Sequence, residues 1–294
     1  MSQCGYIAVV GRPNVGKSTL MNHILGQKIS ITSRKAQTTR HQVLGIKTEN
    51  DIQAIFVDTP GMHQGTKKQL NRMMNRAADS VLHETSVIIF IVEAGKWREE
   101  DDWIIEKFRH VKAPIILAIN KIDKLKSKND VLPFLEMVQS KYDFSAVIPV
   151  SALQAKNLDT LEAEAYQYLP EAPHVYGEDE ITNRSVRFLV SEIIREKLFR
   201  LTGDEIPHST AVEIELYQDE EKITRIAAVI LVERKGQKPI VIGSKGERLK
   251  RVGQQARLEI QELIGRKVFL QLWVKIKDNW SDDARMLKSL GYDD

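Results

Sequence analysis

In the first half of the chain, short apolar runs alternate with amphipathic stretches. Residues 6–10 (YIAVV) end at Gly11, residues 52–57 (IQAIFV) at Asp58, residues 114–119 (PIILAI) at Asn120 and residues 147–150 (VIPV) at Ser151. Runs of this length, bounded by turn-forming residues, read as strands. Residues 87–92 (VIIFIV) are apolar without interruption, which predicts a strand covered on both faces. Residues 19–25, stopping at Gly26, and residues 101–110 and 131–142 show helical spacing. This alternation predicts an α/β fold with a doubly wound, mostly parallel sheet. Such sheets bind ligands beyond the C-terminal ends of their strands, so the residues delivered there are the first candidates for chemistry. Residues 30–40 lack strong periodicity and are expected to form a mobile loop.

The second half has a different rhythm. Residues 158–169 read as an amphipathic closing helix, which Pro170 and Pro173 end because proline cannot continue a helix. The first domain is therefore set at 1–172, and the polar, acidic residues 173–184 are expected to be a linker. Residues 185–201 carry a helical apolar stripe (Phe188, Leu189, Ile193, Ile194, Leu198, Leu201) and stop near Gly203. Residues 211–217 alternate strictly, and residues 223–233 form a second strand after the turn at 219–222 (DEEK). Residues 240–251 (IVIGSKGERLKR) lead into a long helix ending near Gly265, and residues 268–276 alternate again. The order helix, strand, strand, G-x-x-G, helix, strand predicts a smaller α+β domain over 185–278, with a tail at 279–294. Trp273 is expected in its core, and Trp280 is expected to anchor the tail.

Composition narrows the setting. The chain has 294 residues, ample for two cores, and a single cysteine, Cys4, which excludes a disulfide framework. No apolar run approaches the roughly 20 residues of a membrane span. The N-terminus lacks the basic-then-apolar layout of a signal peptide, so a cytoplasmic protein is expected. Net charge is only +3, but it is unevenly distributed. Residues 1–50 hold seven Lys/Arg against one acidic residue, and residues 234–257 hold eight against Glu247 alone. The first cluster surrounds residues 11–18, and the second calls for another anion or is a solvated face.

Residues 11–18 read Gly-Arg-Pro-Asn-Val-Gly-Lys-Ser, the G-x-x-x-x-G-K-S spacing of a phosphate-binding loop. Gly11 and Gly16 let the backbone approach phosphate oxygens, and the N–H groups of Arg12, Pro13's successors Asn14 and Val15, and the helix start near Thr19 form an anion nest. Lys17 can bridge two phosphates, and the Ser18 hydroxyl can ligand Mg²⁺. Asp58-Thr59-Pro60-Gly61 at a strand end supplies a carboxylate for the same cation and, in Gly61, an N–H able to sense a terminal phosphate. Asn120-Lys121-Ile122-Asp123 is suited to a base: a carboxylate accepts two hydrogen bonds from guanine, whereas adenine presents a lone pair there, so Asp123 should reject ATP. The Lys121 stem could cover the base or brace the phosphate loop. Ser151-Ala152 follows on the next strand, and the Ala152 N–H could reach guanine O6.

Four motifs in this order resemble the translation-factor-like GTPases. The resemblance implies that Thr38 or Thr39 contacts Mg²⁺ and the terminal phosphate; Thr39 is favoured because it precedes Arg40. Catalysis is assigned to Lys17, Thr39, Asp58, Gly61 and Asn14. Met62 stands where many GTPases carry a water-orienting Gln, so slow intrinsic turnover is expected. Asn14 either holds K⁺ near the phosphates, as in related GTPases, or supports the loop's own turn.

The V-I-G-S-K-G stretch with its basic helix resembles a type II KH domain. That resemblance implies that Gly243, Ser244, Lys245 and Gly246 meet the phosphates of single-stranded nucleic acid. Ile242 and Leu249 would line a groove for bases, with electrostatic help from Arg248, Lys250 and Arg251. Together with A-Q-T-T-R-H at 36–41, the motifs make nearly the whole chain similar to the Era family of ribosome-assembly GTPases. The resemblance implies hydrolysis of GTP to GDP and binding of small-subunit ribosomal RNA near its 3′ end during assembly of that subunit. It further implies peripheral association with the inner membrane; separately, a monomer and no DNA partner are expected. The competing expectation is a GTPase that docks to a protein or membrane through its C-terminal domain.

Overall fold

The computed structural model describes residues 1–32, 38–61, 69–125, 131–202 and 210–290. The chain divides into two compact units, one mainly residues 1–183 and the other mainly 184–294.

In the first unit the strands are β1 (Gln3–Val10), β2 (Val43–Glu49), β3 (Ile52–Asp58), β4 (Val87–Glu93), β5 (Ile115–Asn120) and β6 (Ala146–Pro149). They form one sheet in the order β2-β3-β1-β4-β5-β6, parallel except for the edge strand β2. The apolar runs became central strands because helices α1 (Lys17–Ile24), α2 (Gln69–Glu84), α3 (Glu99–Phe108), α4 (Val131–Gln139) and α5 (Leu158–Tyr166) supply the cover. Every residue of β4 is buried, and Phe90 meets Phe108 edge-on with centroids 5.3 Å apart. The order reverses beside β1, so β1 and β3 bring Gly11 and Asp58 to one edge of the sheet, with the Val9↔Asp58 pair in register.

Two elements were not legible in the pattern. Strand β2 has its run broken by Gly45 and Lys47, and pairing with β3 through the Asn50–Asp51 turn decides it, Asn50 taking φ 53°. Helix α2 follows residues 62–68, which include Met62 and lie outside the described residues. The stretch expected to be a mobile loop is fixed at both ends. Asn22 Oδ1 accepts from the Ile29 and Ser30 amides at 3.1 and 3.0 Å, and Arg40 and His41 are buried. Residues 33–37 lie outside the described residues. The segment expected to be a linker makes contacts with this unit: buried Gln53 receives the Val175 and Tyr176 amides at 2.8 and 2.9 Å, and Ile46 N donates to Ile181 O.

The second unit contains α6 (Val186–Leu201), β7 (Thr210–Asp219), β8 (Thr224–Val232), α7 (Gln237–Ile242), α8 (Glu247–Ile264), β9 (Val268–Ile276) and α9 (Ala284–Ser289). The expected stop near Gly203 lies outside the described residues. Ser185 caps α6 by accepting from Phe188 N at 3.3 Å. The sheet runs β7-β8-β9, with β7/β8 antiparallel and β8/β9 parallel, the type II KH arrangement. Val190, Ile194 and Leu198 of α6 meet Val252, Ala256 and Ile260 of α8 over the inward face of β8. The stripe expected on α6 is only part of what it buries. Residues 192–199 are buried throughout, and the charges among them are paired: Arg195 with Glu192, Glu196 with Arg200 at 2.7 Å, and Lys197 with Glu259.

Trp273 corrects an expectation. It is 44% exposed, because strand alternation commits Val268 and Val274 to the core and leaves Phe269 and Trp273 on the outer face. Trp280 does anchor the tail: it is fully buried, and neighbouring Ser281 donates to Glu233. Trp280→Ala should lower stability by about 3–5 kcal/mol, read as an earlier unfolding midpoint in denaturant.

Candidate functional site

Residues 11–16 link β1 to α1 and curl back over the start of the helix. Asn14 is exposed and left-handed at φ 65°, which fits its reading as a turn former. Gly16 takes φ 111°, and a Cβ there would stand 2.3 Å from Asn120 Nδ2, so no larger residue fits beside the base loop. Pro13 abuts Gly61, Val15 is fully buried against Gly11, and Thr19 lies in the first turn of α1. Lys17 is buried and donates to Gly11 O at 2.9 Å and Arg12 O at 3.2 Å. Burial pushes its pKa down to about 8 against the attraction of Asp58. Arg12, expected to face a nucleotide, instead turns away to pair with Asp101 at 3.1 Å, because its charge finds a buried carboxylate there.

The three residues expected to hold a metal converge. Ser18 Oγ lies 2.8 Å from Thr39 Oγ1 and donates to Asp58 Oδ2 at 2.8 Å, while Thr39 Oγ1 donates to the same oxygen at 3.5 Å. Of the two candidate threonines, Thr39 therefore brings its side chain into this cluster. Burial raises the Asp58 pKa, opposed by Lys17 and by the hydroxyls. Among the described residues, Asp58 Oδ1 is buried with no hydrogen-bond partner. An orphaned carboxylate oxygen beside two hydroxyls fits a hard divalent cation of the Mg²⁺ type. Thr59, expected to contact ligand, is buried and donates to Val9 O at 2.8 Å, so its side chain serves the sheet. Pro60 is buried too, and the Gly61 backbone is left facing the loop at Pro13.

At the base-loop end, buried Asn120 ties three loops together. Its Nδ2 donates to Val15 O at 2.8 Å, and its Oδ1 accepts from Lys121 N at 2.7 Å and Ala152 N at 2.9 Å. The Ala152 N–H, expected to face a base oxygen, is thus spent on Asn120. Lys121, left-handed at φ 67°, sends Nζ to Asn14 O at 2.6 Å, which is the bracing role. Ile122 packs on the core. Ser151 Oγ donates to Asp123 Oδ1, orienting the carboxylate from the neighbouring strand end.

In the second unit, residues 243–246 form the tight turn between α7 and α8. Gly243 has φ 75° and ψ 176°, a region closed to other residues, and a Cβ there would meet Arg248 Cβ at 2.6 Å. Lys245 and Gly246 also have positive φ, at 49° and 81°. The turn thrusts Ser244 and Lys245 into solvent, with Lys250 and Arg251 exposed on the next turn. Ile242 and Leu249 are half-buried and extend the core to the surface. Arg248, expected to attract phosphate, donates to Ile240 O and so serves as a cap for α7.

A sequence profile of the family described as 50S ribosome-binding GTPase matches residues 6–121, and a KH-domain profile matches residues 205–281. The GTPase Era of Ectopseudomonas mendocina is 55% identical over 292 residues, covering 99% of this chain and 98% of that protein. The chain belongs to the Era family of GTPases. Era of Marinobacter nauticus is 54% identical over the whole chain and 96% of its own length. Among solved structures, Era in complex with MgGDPNP and nucleotides 1506–1542 of 16S ribosomal RNA superimposes with TM-score 0.96 at 41% identity, covering 99% of both chains. An Aquifex aeolicus Era variant bound to GDP and AlF₄⁻ gives 0.94 at 40% identity over 99% of both chains. No described helix is long and apolar enough to cross a membrane.

For this member of the Era family, sequence reasoning missed the polar residues that act on motif residues from a distance. Asp101 holds Arg12 and Asn22 clasps residues 29–30, yet neither lies in a motif. The legible signal for Asp101 was its place in the acidic first turn of a helix, which does not reveal a partner 89 residues away.

The depressed Lys17 pKa has a pH signature. The folded value of about 8 lies below that of the unfolded chain, so between about pH 8 and 10.5 the unfolded chain binds the extra proton and stability rises with pH. Nucleotide-free protein should gain about 2–3 kcal/mol on its Lys17→Met variant across that window, measured by urea unfolding.

Proposed function

We propose that this chain is a GTP-hydrolysing switch that binds small-subunit ribosomal RNA near its 3′ end and assists assembly of that subunit. The observation that carries the reading is the convergence of Ser18, Thr39 and Asp58 beside a buried Lys17, in a chain of the Era family. Support for the RNA half comes from the 16S-bound relative, matched over 99% of this chain, and from the exposed Gly243–Gly246 turn.

Ser18, Thr39 and Asp58 would hold Mg²⁺, with the backbone N–H groups of residues 11–19 other than Pro13 and the Lys17 ammonium around the phosphates. When bound there, the cation would supply Lewis-acid stabilisation of charge on the phosphoryl oxygens. Water attacks the terminal phosphorus, the bond to the bridging oxygen breaks, and GDP and phosphate leave. Lys17 and the loop amides neutralise charge gathering on the leaving oxygen. The Gly61 N–H meets the terminal phosphate. Met62 cannot orient water, so turnover in the isolated protein is slow. Asn14, left-handed at φ 65°, supports the loop's own turn; in the alternative reading it would hold K⁺ near the phosphates, a role that equal turnover in K⁺ and Na⁺ buffers would remove.

Asp123 reads the base by accepting from the guanine N1–H and exocyclic amine, held by Ser151. Asp123→Asn replaces an acceptor by a donor, which suits xanthine. It should shift the GDP:XDP affinity ratio by more than about 100-fold, measured by competition.

Ser244, Lys245 and Gly246 meet phosphates while Ile242 and Leu249 take bases. Replacing Ser244 and Lys245 with Asp should weaken binding of a 16S 3′-end fragment about tenfold or more and flatten its salt dependence. Unchanged, weak binding would favour the reading in which the C-terminal domain docks to a protein or to the inner membrane instead.

A further inference from the structure

Both nucleotide loops hang from a segment that none of the recognised motifs contains. Strand β4 ends at Glu93, a turn follows with Gly95 at φ 70°, and α3 begins at Glu99. Glu93 pairs with Asn120 across the parallel strands, and Ala94 N donates to Asn120 O at 2.8 Å. The far end of the segment is fixed independently: buried Asp101 holds Arg12 at 3.1 Å, and Arg12 Nη2 donates to Lys96 O at 3.4 Å. Glu93 therefore sits on a segment fixed at both ends and is only 8% exposed.

That carboxylate has a specific partner. Glu93 Oε2 lies 2.7 Å from Lys121 Nζ, and the same ammonium donates to Asn14 O at 2.6 Å. Lys96 holds the other oxygen, Oε1, at 2.7 Å. One ammonium thus bridges the left-handed Asn14 of the phosphate loop and the left-handed Lys121 of the base loop. We propose that Glu93 is a positioning residue for nucleotide binding, which acts through Lys121 by fixing its ammonium between the two loops. Partial burial alone would raise the Glu93 carboxyl, but hydrogen bonds from Lys121 and Lys96 outweigh it and hold the pKa at about 2. The brace is consequently ionised throughout the physiological range. With Glu93 neutral, the ammonium keeps only the Asn14 carbonyl, and the Lys121 stem is free to leave its place beside the base loop.

The inference rests on the GTPase reading, and its test separates the two. Mant-GDP dissociation is measured by stopped flow on the full chain and on Glu93→Gln, Lys121→Met and the double variant, with bound GDP counted per chain. Glu93→Gln keeps the shape and removes the charge, so one GDP per chain should remain while dissociation accelerates about tenfold or more. Single-turnover hydrolysis of prebound GTP should fall less than about threefold, since no reacting atom loses a partner. In the Lys121→Met background the Glu93→Gln change should add less than about twofold, because the group through which it acts is gone. The GDP:IDP preference should stay within about twofold of the unmodified chain, as Asp123 and Ser151 are untouched. Unchanged dissociation in Glu93→Gln, the same acceleration in both backgrounds, or loss of the GDP:IDP preference overturns the positioning role. Failure of the unmodified chain to bind GDP overturns the GTPase reading and the brace with it.

Discussion

The first unit depends on keeping opposite charges buried at the edge of a sheet. Lys17 and Asp58 both lie out of water, and burial moves the pKa of each toward its neutral form. Such an arrangement costs free energy in isolation and becomes favourable when a polyphosphate and a divalent cation complete it. The sheet makes this tolerable. Its apolar strands β1, β3 and β4 are paired and buried, so the ends of β1 and β3 are held in register where the charges emerge. The Thr59 hydroxyl, tied to Val9 O, fastens those two strands at the point where the charges emerge.

A second layer of polar contacts turns separate loops into one site. Asn120 joins the phosphate loop, its own loop and residue 152, using three hydrogen bonds from one carboxamide. Lys121 adds a fourth link, to Asn14. Such links hold the loops near their working geometry before ligand arrives, so less binding energy is lost to ordering them. Positive φ at Asn14, Gly16 and Lys121 is the strain that this bracing supports.

The second unit solves a different problem with the same means. Its sheet is covered on one face by α6 and α8, and its other face carries exposed Phe269 and Trp273. The turn at residues 243–246 combines positive φ at Gly243, Lys245 and Gly246, which exposes the Ser244 hydroxyl and the Lys245 ammonium at the start of α8. A helix start with that shape favours an anion, while half-buried Ile242 and Leu249 beside it favour flat apolar surfaces.

The apolar runs, the helical periodicities and the glycine positions determined the two folds and the location of the site. Those signals are local: strand and helix periods and the φ demands of a turn are properties of neighbouring residues. The open face of Trp273, the edge strand β2 and the pinned segment at 175–181 were decided by which surfaces found cover, a property of residues far apart in the chain. The same holds for side-chain roles inside the motifs. Arg12, Thr59, Arg248 and the Ala152 amide stand where a ligand contact was expected, yet each is engaged by a protein group. A motif specifies backbone shape and residue type, but the direction of a charge or an N–H depends on the nearest unsatisfied partner, and only tertiary packing brings that partner within reach.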